Sequence, residues 1–308
     1  GLIAMRHLAC AVAMSAAACE QLGVAPLDDT AATEQLQAWH TGDAALPVLD
    51  DLTEQMRVLR AELLSRVFGQ DHAVHAFVEG IFNANVVVQA DEERKGPRAI
   101  FLFAGPPGVG KTYLAELSAS YLGKPFKRFD MSEFSDHQQH MQLVGFPPSY
   151  KSAQAGTLTG YVAEHPECIL LFDEIEKAHL NTIHLFLQIL DAGRLEDKFT
   201  GETVPFRDTL IILTTNAGRA LYDSPNETGV TTANASFHRR TILDAIRTEE
   251  GPSGQPFFPA ALCSRLATGY PILFNYLGVN ELEKIARREM QRVAELFENQ
   301  YYKTIHFD

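Results

Sequence analysis

Ala99-Ile100-Phe101-Leu102-Phe103, followed after Ala104 by Gly105-Pro106-Pro107-Gly108-Val109-Gly110-Lys111-Thr112, carries the pattern from which the fold class follows. Its first part is a short unbroken apolar run, the pattern of a strand buried on both faces. Its second part fits the spacing GxxxxGK[ST] in full and lies where that strand gives way to a helix. The glycines let the backbone wrap around phosphates where side chains would clash. Backbone N–H groups and the N-terminus of the following helix then face the anion. Lys111 reaches the β- and γ-phosphates, and Thr112 offers its hydroxyl to Mg2+. Gly105 through Thr112 are therefore expected to hold ATP with Mg2+.

Outward from this stretch, strands and helices alternate. Phe126 to Phe129, Cys168-Ile169-Leu170-Leu171-Phe172 and Leu210-Ile211-Ile212-Leu213 are further strand candidates, with helical segments between them. That order predicts a parallel sheet covered on both faces, a three-layer α/β/α P-loop fold. Ahead of the sheet, Leu52, Met56, Leu59 and Leu63 recur at helical spacing within 50–66. A second helix is expected over 71–88, with Asp71 as its N-cap. Segment 217–260 is rich in Asn, Thr, Ser, Gly and Pro and reads as a long loop holding one helix near 237–249. An amphipathic helix over 280–299 places Leu282, Ile285, Val293 and Leu296 on one face, and its charged side reads as solvated surface. The expected organisation is a helical segment and linker (1–47), a large ATPase domain (48–276) and the start of a small helical lid (277–308).

Composition narrows the choice of function. The 308 residues are 46% hydrophobic, enough for a sizeable core, and 39 acidic against 26 basic residues give a net charge of -13. That balance weighs against nucleic acid as a partner. Cysteines 10, 19, 168 and 263 show no CxxC spacing, and Cys168 reads as a small core residue. His179 and His184 are spaced so that they do not share a helix face, so a histidine metal site is not expected. The apolar stretch within residues 5–19 reads either as a secretory leader or as an Ala-rich buried helix, and it is too short to span a membrane.

The run Leu170-Leu171-Phe172-Asp173-Glu174 delivers two carboxylates to the carboxyl end of a strand, the edge where open α/β sheets bind ligands. Asp173 is suited to holding Mg2+, and Glu174 to orienting and activating the attacking water.

Taken together, Gly105 to Thr112, Leu171-Phe172-Asp173-Glu174-Ile175-Glu176-Lys177-Ala178-His179 and Thr214-Thr215-Asn216-Ala217-Gly218 closely resemble the second ATPase module of the Clp family of AAA+ proteins. Arg66-Val67-Phe68-Gly69-Gln70-Asp71 looks like the family segment that packs on adenine, which makes Val67 and Phe68 candidates for nucleotide contact. Phe129-Asp130-Met131-Ser132-Glu133 and Asp191-Ala192-Gly193-Arg194-Leu195 follow the same pattern, so the resemblance runs over 48–308. It implies that Asn216 is the polar sensor at the γ-phosphate and that Arg265 is an arginine finger acting in trans within a ring, a hexameric homo-oligomer. It implies that Tyr150 and Lys151 lie on the pore loop that grips polypeptide. A cytoplasmic motor that unfolds, disaggregates or translocates proteins is the function implied, with neither nucleic acid nor membrane as partner.

This sequence also departs from the family. Ser264 and Ala267 flank Arg265 where the family has asparagine and aspartate. Ser149 and Ser152 replace the pore-loop glycines, and Lys151 replaces a valine, a change expected to favour acidic substrates. Thr228-Gly229-Val230 is a degraded form of the protease-docking tripeptide, so a protease partner stays open. The resemblance implies a lid that continues past Asp308 with a second sensor arginine. A nucleic-acid-acting AAA+ ATPase and an ATP-binding switch or scaffold without productive turnover stand as alternatives.

Overall fold

The structure, a computed structural model, describes residues 46–90, 94–151, 153–223, 239–250, 256 and 258–301. The expected leader or helix at 5–19, Ser152, Thr228-Gly229-Val230 and most of the linker lie outside the described residues. The chain divides into two compact units, Gly1–Gln55 and Met56–Asp308. The second contains the sheet.

In chain order the elements are α1 (Leu46–Arg66), α2 (Asp71–Ala90), β1 (Ala99–Ala104), α3 (Lys111–Leu122), β2 (Phe126–Asp130), α4 (His140–Val144), α5 (Thr157–Glu164), β3 (Ile169–Asp173), α6 (Leu180–Ala192), β4 (Arg194–Glu196), β5 (Thr203–Pro205), β6 (Leu210–Thr215), α7 (Arg219–Asp223), α8 (Arg239–Thr248), α9 (Ala260–Leu266), β7 (Tyr270–Leu273) and α10 (Val279–Tyr301). Short 3-10 turns follow β2 and β3, at Met131–Phe134 and Ile175–Lys177. Helix α1 begins at Leu46 rather than at 50, because Pro47 is tolerated in a first helical turn and does not break it there.

Five strands form one parallel sheet in the order β2-β3-β6-β1-β7. Alternation along each strand sorts the side chains into two layers. Leu102, Ala104, Leu170, Phe172, Ile211 and Leu213 share one core with Phe186 of α6, Ile242 of α8 and Leu262 of α9. Phe101 and Phe103 meet Phe77 of α2, at ring separations of 4.6 and 5.5 Å. Each such fully buried side chain contributes about 1.5–3 kcal/mol, so coverage on both faces is what holds the sheet. Cys168 is fully buried in the first layer, and burial pushes its thiol up to about 12, so it packs as a small apolar residue.

Strand β7 has no counterpart in the sequence expectations. Pro271 weakens the strand pattern, yet β7 is an edge strand, where the missing N–H costs no ladder bond. Helix α9 and the short β4–β5 pair are likewise additional to those expectations. On α10, Leu282, Val293 and Leu296 are exposed, Ile285 is half-buried and no residue is fully buried, so the predicted apolar face is covered only in part among the described residues. Among the described residues no helix is long and apolar enough to cross a membrane.

Register sets up the site. Ala104 of β1 pairs with Thr215 of β6, and Phe172 of β3 with Leu213. The loop after β1, the carboxylates after β3 and Asn216 after β6 therefore leave the sheet at one edge.

Candidate nucleotide site

The turn from β1 to α3 is built around two glycines. Gly105 has φ +154°, and a Cβ there would lie 2.6 Å from the Phe274 carbonyl oxygen. Gly110 caps α3 in the left-handed region at φ +99°, where other residues are strained. Helix α3 starts at Lys111 and has no side-chain cap, so its first N–H groups are free to meet an anion. Val109 is buried beneath the turn.

Lys111 is 7% exposed, and its ammonium donates to the carbonyls of Gly105 (2.6 Å) and Pro106 (2.8 Å) and to Asn216 Oδ1 (2.9 Å). Burial lowers its pKa to about 8, against the opposing pull of Glu176, Asp173 and Glu174.

A cavity of about 390 Å³ opens at this edge, within the range of small-ligand sites. Pro107, Gly108, Gly110, Lys111, Thr112 and Tyr113 line one side; Arg128, Asp173, Glu174, Thr214 and Asn216 line the other. Thr112 Oγ1 donates to the Asp173 carboxylate at 3.1 and 3.3 Å. A hydroxyl and a carboxylate this close suit Mg2+, which takes hard oxygen donors and is commonly shared between one carboxylate and substrate phosphates. Among the described residues no cluster of three or more His, Cys, Asp and Glu side chains is arranged to hold a metal. His179 instead caps α6, its Nδ1 accepting from the Asn181 N–H at 3.1 Å.

Glu174 has φ +56°, the one non-glycine residue with positive φ among those described. Such a conformation costs about 1–3 kcal/mol and persists where neighbours enforce it. Its N–H donates to Thr214 Oγ1 at 3.0 Å, and the Thr214 hydroxyl in turn donates to Asp173 Oδ1. The Glu174 carboxylate accepts from Asn216 Nδ2 at 3.2 Å and from Lys177 Nζ at 2.5 Å; this bond raises the Lys177 pKa. The Asn216 amide therefore accepts from Lys111 while donating to Glu174. Its backbone is fixed as well: the Asn216 N–H donates to Glu176 Oε1 at 3.0 Å, and Tyr222 donates to the Asn216 carbonyl at 2.6 Å.

The structure thus brings Lys111, Thr112, Asp173, Glu174 and Asn216 together and places other predicted residues elsewhere. Val67 is a buried core residue that does not line the cavity, whereas Phe68 is half-buried with its ring near Tyr113's neighbour Arg288. Arg265, on α9, makes a bidentate pair with Asp191 at 2.5 Å and lines no part of the cavity. Tyr150 is 57% exposed, and Lys151 is exposed, on a loop closed by the Phe146–Gln154 bridge. Sequence reading missed Arg128, which pairs with Asp173 Oδ2 at 2.7 Å, and also Thr214 and Glu176. Thr214 stood within a quoted motif, but its hydroxyl's two partners are contacts across strands. Arg128 alternates with the buried Phe129 on a strand and carried no signal of its own.

A family profile described as AAA domain (Cdc48 subfamily) matches residues 96–266. Chaperone protein ClpB of Corynebacterium diphtheriae is 44% identical over 189 residues, 60% of this chain and 22% of that protein. A ClpA homolog protein of Fuscovulum blasticum is 40% identical over 192 residues, 61% of this chain and 24% of that protein. Chaperone protein ClpB 1 of a Nostoc species is 34% identical over 272 residues, 86% of this chain and 29% of that protein. The chain spans between 22% and 29% of the length of these three relatives. The profile covers more than half of the chain, from just before β1 to the end of α9, and encloses the phosphate loop, the carboxylates after β3 and Asn216. With its Clp relatives, this match places the chain in the AAA domain family (Cdc48 subfamily), and within it the chain belongs to the Clp-type AAA+ ATPases.

Proposed function

We propose that this chain is an ATP-hydrolysing motor module that works in a hexameric ring to unfold, disaggregate or translocate polypeptides. The observation that carries the reading is the Lys111–Asn216–Glu174 chain of hydrogen bonds beside the Thr112–Asp173 pair, all at one sheet edge. Thr112 and Asp173 would hold Mg2+, which when bound draws charge from the β- and γ-phosphate oxygens. The α3 N-terminus and the loop N–H groups bind the phosphates. Lys111 exchanges its loop carbonyls for phosphate oxygens and carries positive charge to the transferring group. Glu174 accepts the proton of the attacking water, and Asn216 fixes that water and the carboxylate together. Arg265 on the protein surface is suited to a neighbour's nucleotide.

Tyr150 and Lys151, exposed on a closed loop, are suited to gripping a passing chain through a ring face and a charge. Two of the relatives named above, the ClpB proteins, are chaperones by description, which supports protein substrates and assembly. We assign the activity to the cytoplasm on the resemblance to Clp-type motors alone. The boundaries we adopt are 1–47, 48–276 and 277–308. The test is ATP hydrolysis and ATP binding by Glu174→Gln: binding retained with hydrolysis abolished is the expected result, and hydrolysis at the parent rate would refute the assignment of the base.

A further inference from the structure

The Arg265 guanidinium is bonded at all three of its nitrogens within its own subunit. Nε and Nη2 donate to the two carboxylate oxygens of Asp191 at 2.5 Å each, and Nη1 donates to the Ala261 carbonyl at 2.8 Å. Both side chains nevertheless reach solvent, Arg265 at 34% exposure and Asp191 at 49%. Exposed ion pairs stabilise a fold little, so stability does not account for an arrangement this complete. Asp191 is also unfavourably placed by itself. It lies in the last turn of α6, where the helix dipole favours cations over carboxylates. That turn is fixed. Gly193 ends α6 at φ +63°, its N–H donating to the Ile189 carbonyl at 2.9 Å and its own carbonyl accepting from the Phe206 N–H at 2.7 Å. A Cβ on Gly193 would lie 1.6 Å from the Lys95 carbonyl oxygen, so the chain leading into β1 packs against the same turn. Asp191 is therefore a carboxylate on a rigid mount.

A guanidinium carries five N–H donors. Three are engaged by Asp191 and Ala261, which leaves one on each terminal nitrogen, and a phosphate takes such a pair side by side. A free arginine loses much rotamer freedom when it is ordered by a partner. Here the ordering is complete before any partner arrives. Asp191 lines no part of the nucleotide cavity of its own subunit, so it reaches the reaction only through Arg265. We propose that Asp191 is the positioning residue of the Arg265 finger, holding the guanidinium so that its two remaining N–H groups are presented to the nucleotide of the neighbouring subunit. The role rests on the ring of the proposed function. It gives the carboxylate at the unfavourable end of α6 a purpose that stability does not.

The test is steady-state ATP hydrolysis by equimolar mixtures of two variants. In the reference mixture, Glu174→Gln supplies the finger and Arg265→Ala supplies the site. Adding Asp191→Ala to the Glu174→Gln chain alters the subunit that presents the finger. Adding it instead to the Arg265→Ala chain alters only a subunit whose finger is already gone. The first placement is expected to lower kcat about 5- to 30-fold, up to the scale of an arginine's rotamer entropy, with KM for ATP within about two-fold because the other chain holds the nucleotide. The second placement is expected to stay within about two-fold of the reference. Damage to the fold would lower both. Equal losses in the two placements, or no loss in the first, overturn the proposal. Should Asp191→Ala fail to fold, Asp191→Asn, which keeps one acceptor oxygen, decides by the same asymmetry. A parent chain inactive at every concentration, or a reference mixture that recovers nothing, refutes the shared site itself, and the role of Asp191 falls with it.

Discussion

Raising the pH from 7 to 9 is expected to weaken nucleotide binding about ten-fold, and Lys111 sets that magnitude. Burial brings its pKa from 10.5 down to about 8, with Glu176, Asp173 and Glu174 pulling the other way. In the nucleotide-free chain the lysine is therefore about nine-tenths charged at pH 7 and about one-tenth charged at pH 9. Phosphate oxygens beside the ammonium favour the charged form, so binding takes up the missing proton and loses affinity in proportion. The phosphate's own second ionisation, near pH 6, is already about nine-tenths complete at pH 7 and changes little across this window. The sign for folding is opposite: between about 8 and 10.5 the unfolded chain binds more protons at this residue than the native chain does, so Lys111's contribution to stability rises with pH. Titration calorimetry at pH 7, 8 and 9, in two buffers of different ionisation enthalpy, reads affinity and proton uptake together. Lys111→Arg, charged throughout, is expected to lose the pH dependence. An affinity constant from pH 7 to 9, or an equal dependence in Lys111→Arg, would refute the reasoning.

Two more predictions concern the residues around Glu174. Thr214→Val removes the hydroxyl that accepts from Glu174 N–H and donates to Asp173, and is expected to cost about 1–3 kcal/mol in chemical denaturation together with a fall in kcat; unchanged denaturation would show that the bridge holds nothing. Glu174→Asn is expected to abolish hydrolysis with no loss of stability, because Asn tolerates the left-handed region, whereas the β-branched Glu174→Val is expected to lose roughly 1–3 kcal/mol. Equal thermal midpoints for the two variants would mean the backbone there is not strained.

The central sheet was legible because its strands are unbroken apolar runs and its phosphate loop is bounded by a strand and a helix. Once β1, β3 and β6 were recognised as parallel, the meeting of Lys111, Asp173, Glu174 and Asn216 at one edge followed from the common direction of the strands. What escaped had no local period. Strand β7 carries Pro271, which an edge position tolerates but a pattern reading rejects. Arg128 meets Asp173 across neighbouring strands, and its own neighbours Lys127 and Phe129 give no hint of it. Arg288 stood on a helix face that reads as solvated, and only the folding back of α10 onto Phe68 and Tyr113 sets it apart from the other charges of that helix. The left-handed Glu174 was hidden for the same reason: its φ is imposed by Thr214, Asn216 and Lys177, two of which lie on another strand or just past its end.

The ring we propose completes each site between subunits, with Glu174 in one and Arg265 from the next. Steady-state ATP hydrolysis by Glu174→Gln, by Arg265→Ala and by an equimolar mixture of the two tests it most directly. Each variant alone is expected to be inactive, by a factor on the order of 10³ or more for the arginine. The mixture pairs an intact Glu174 site with an intact Arg265 at some interfaces, and is expected to recover roughly a quarter of the parent activity on random assembly. Activity in Arg265→Ala alone, or no recovery in the mixture while the parent is active, would contradict the shared site.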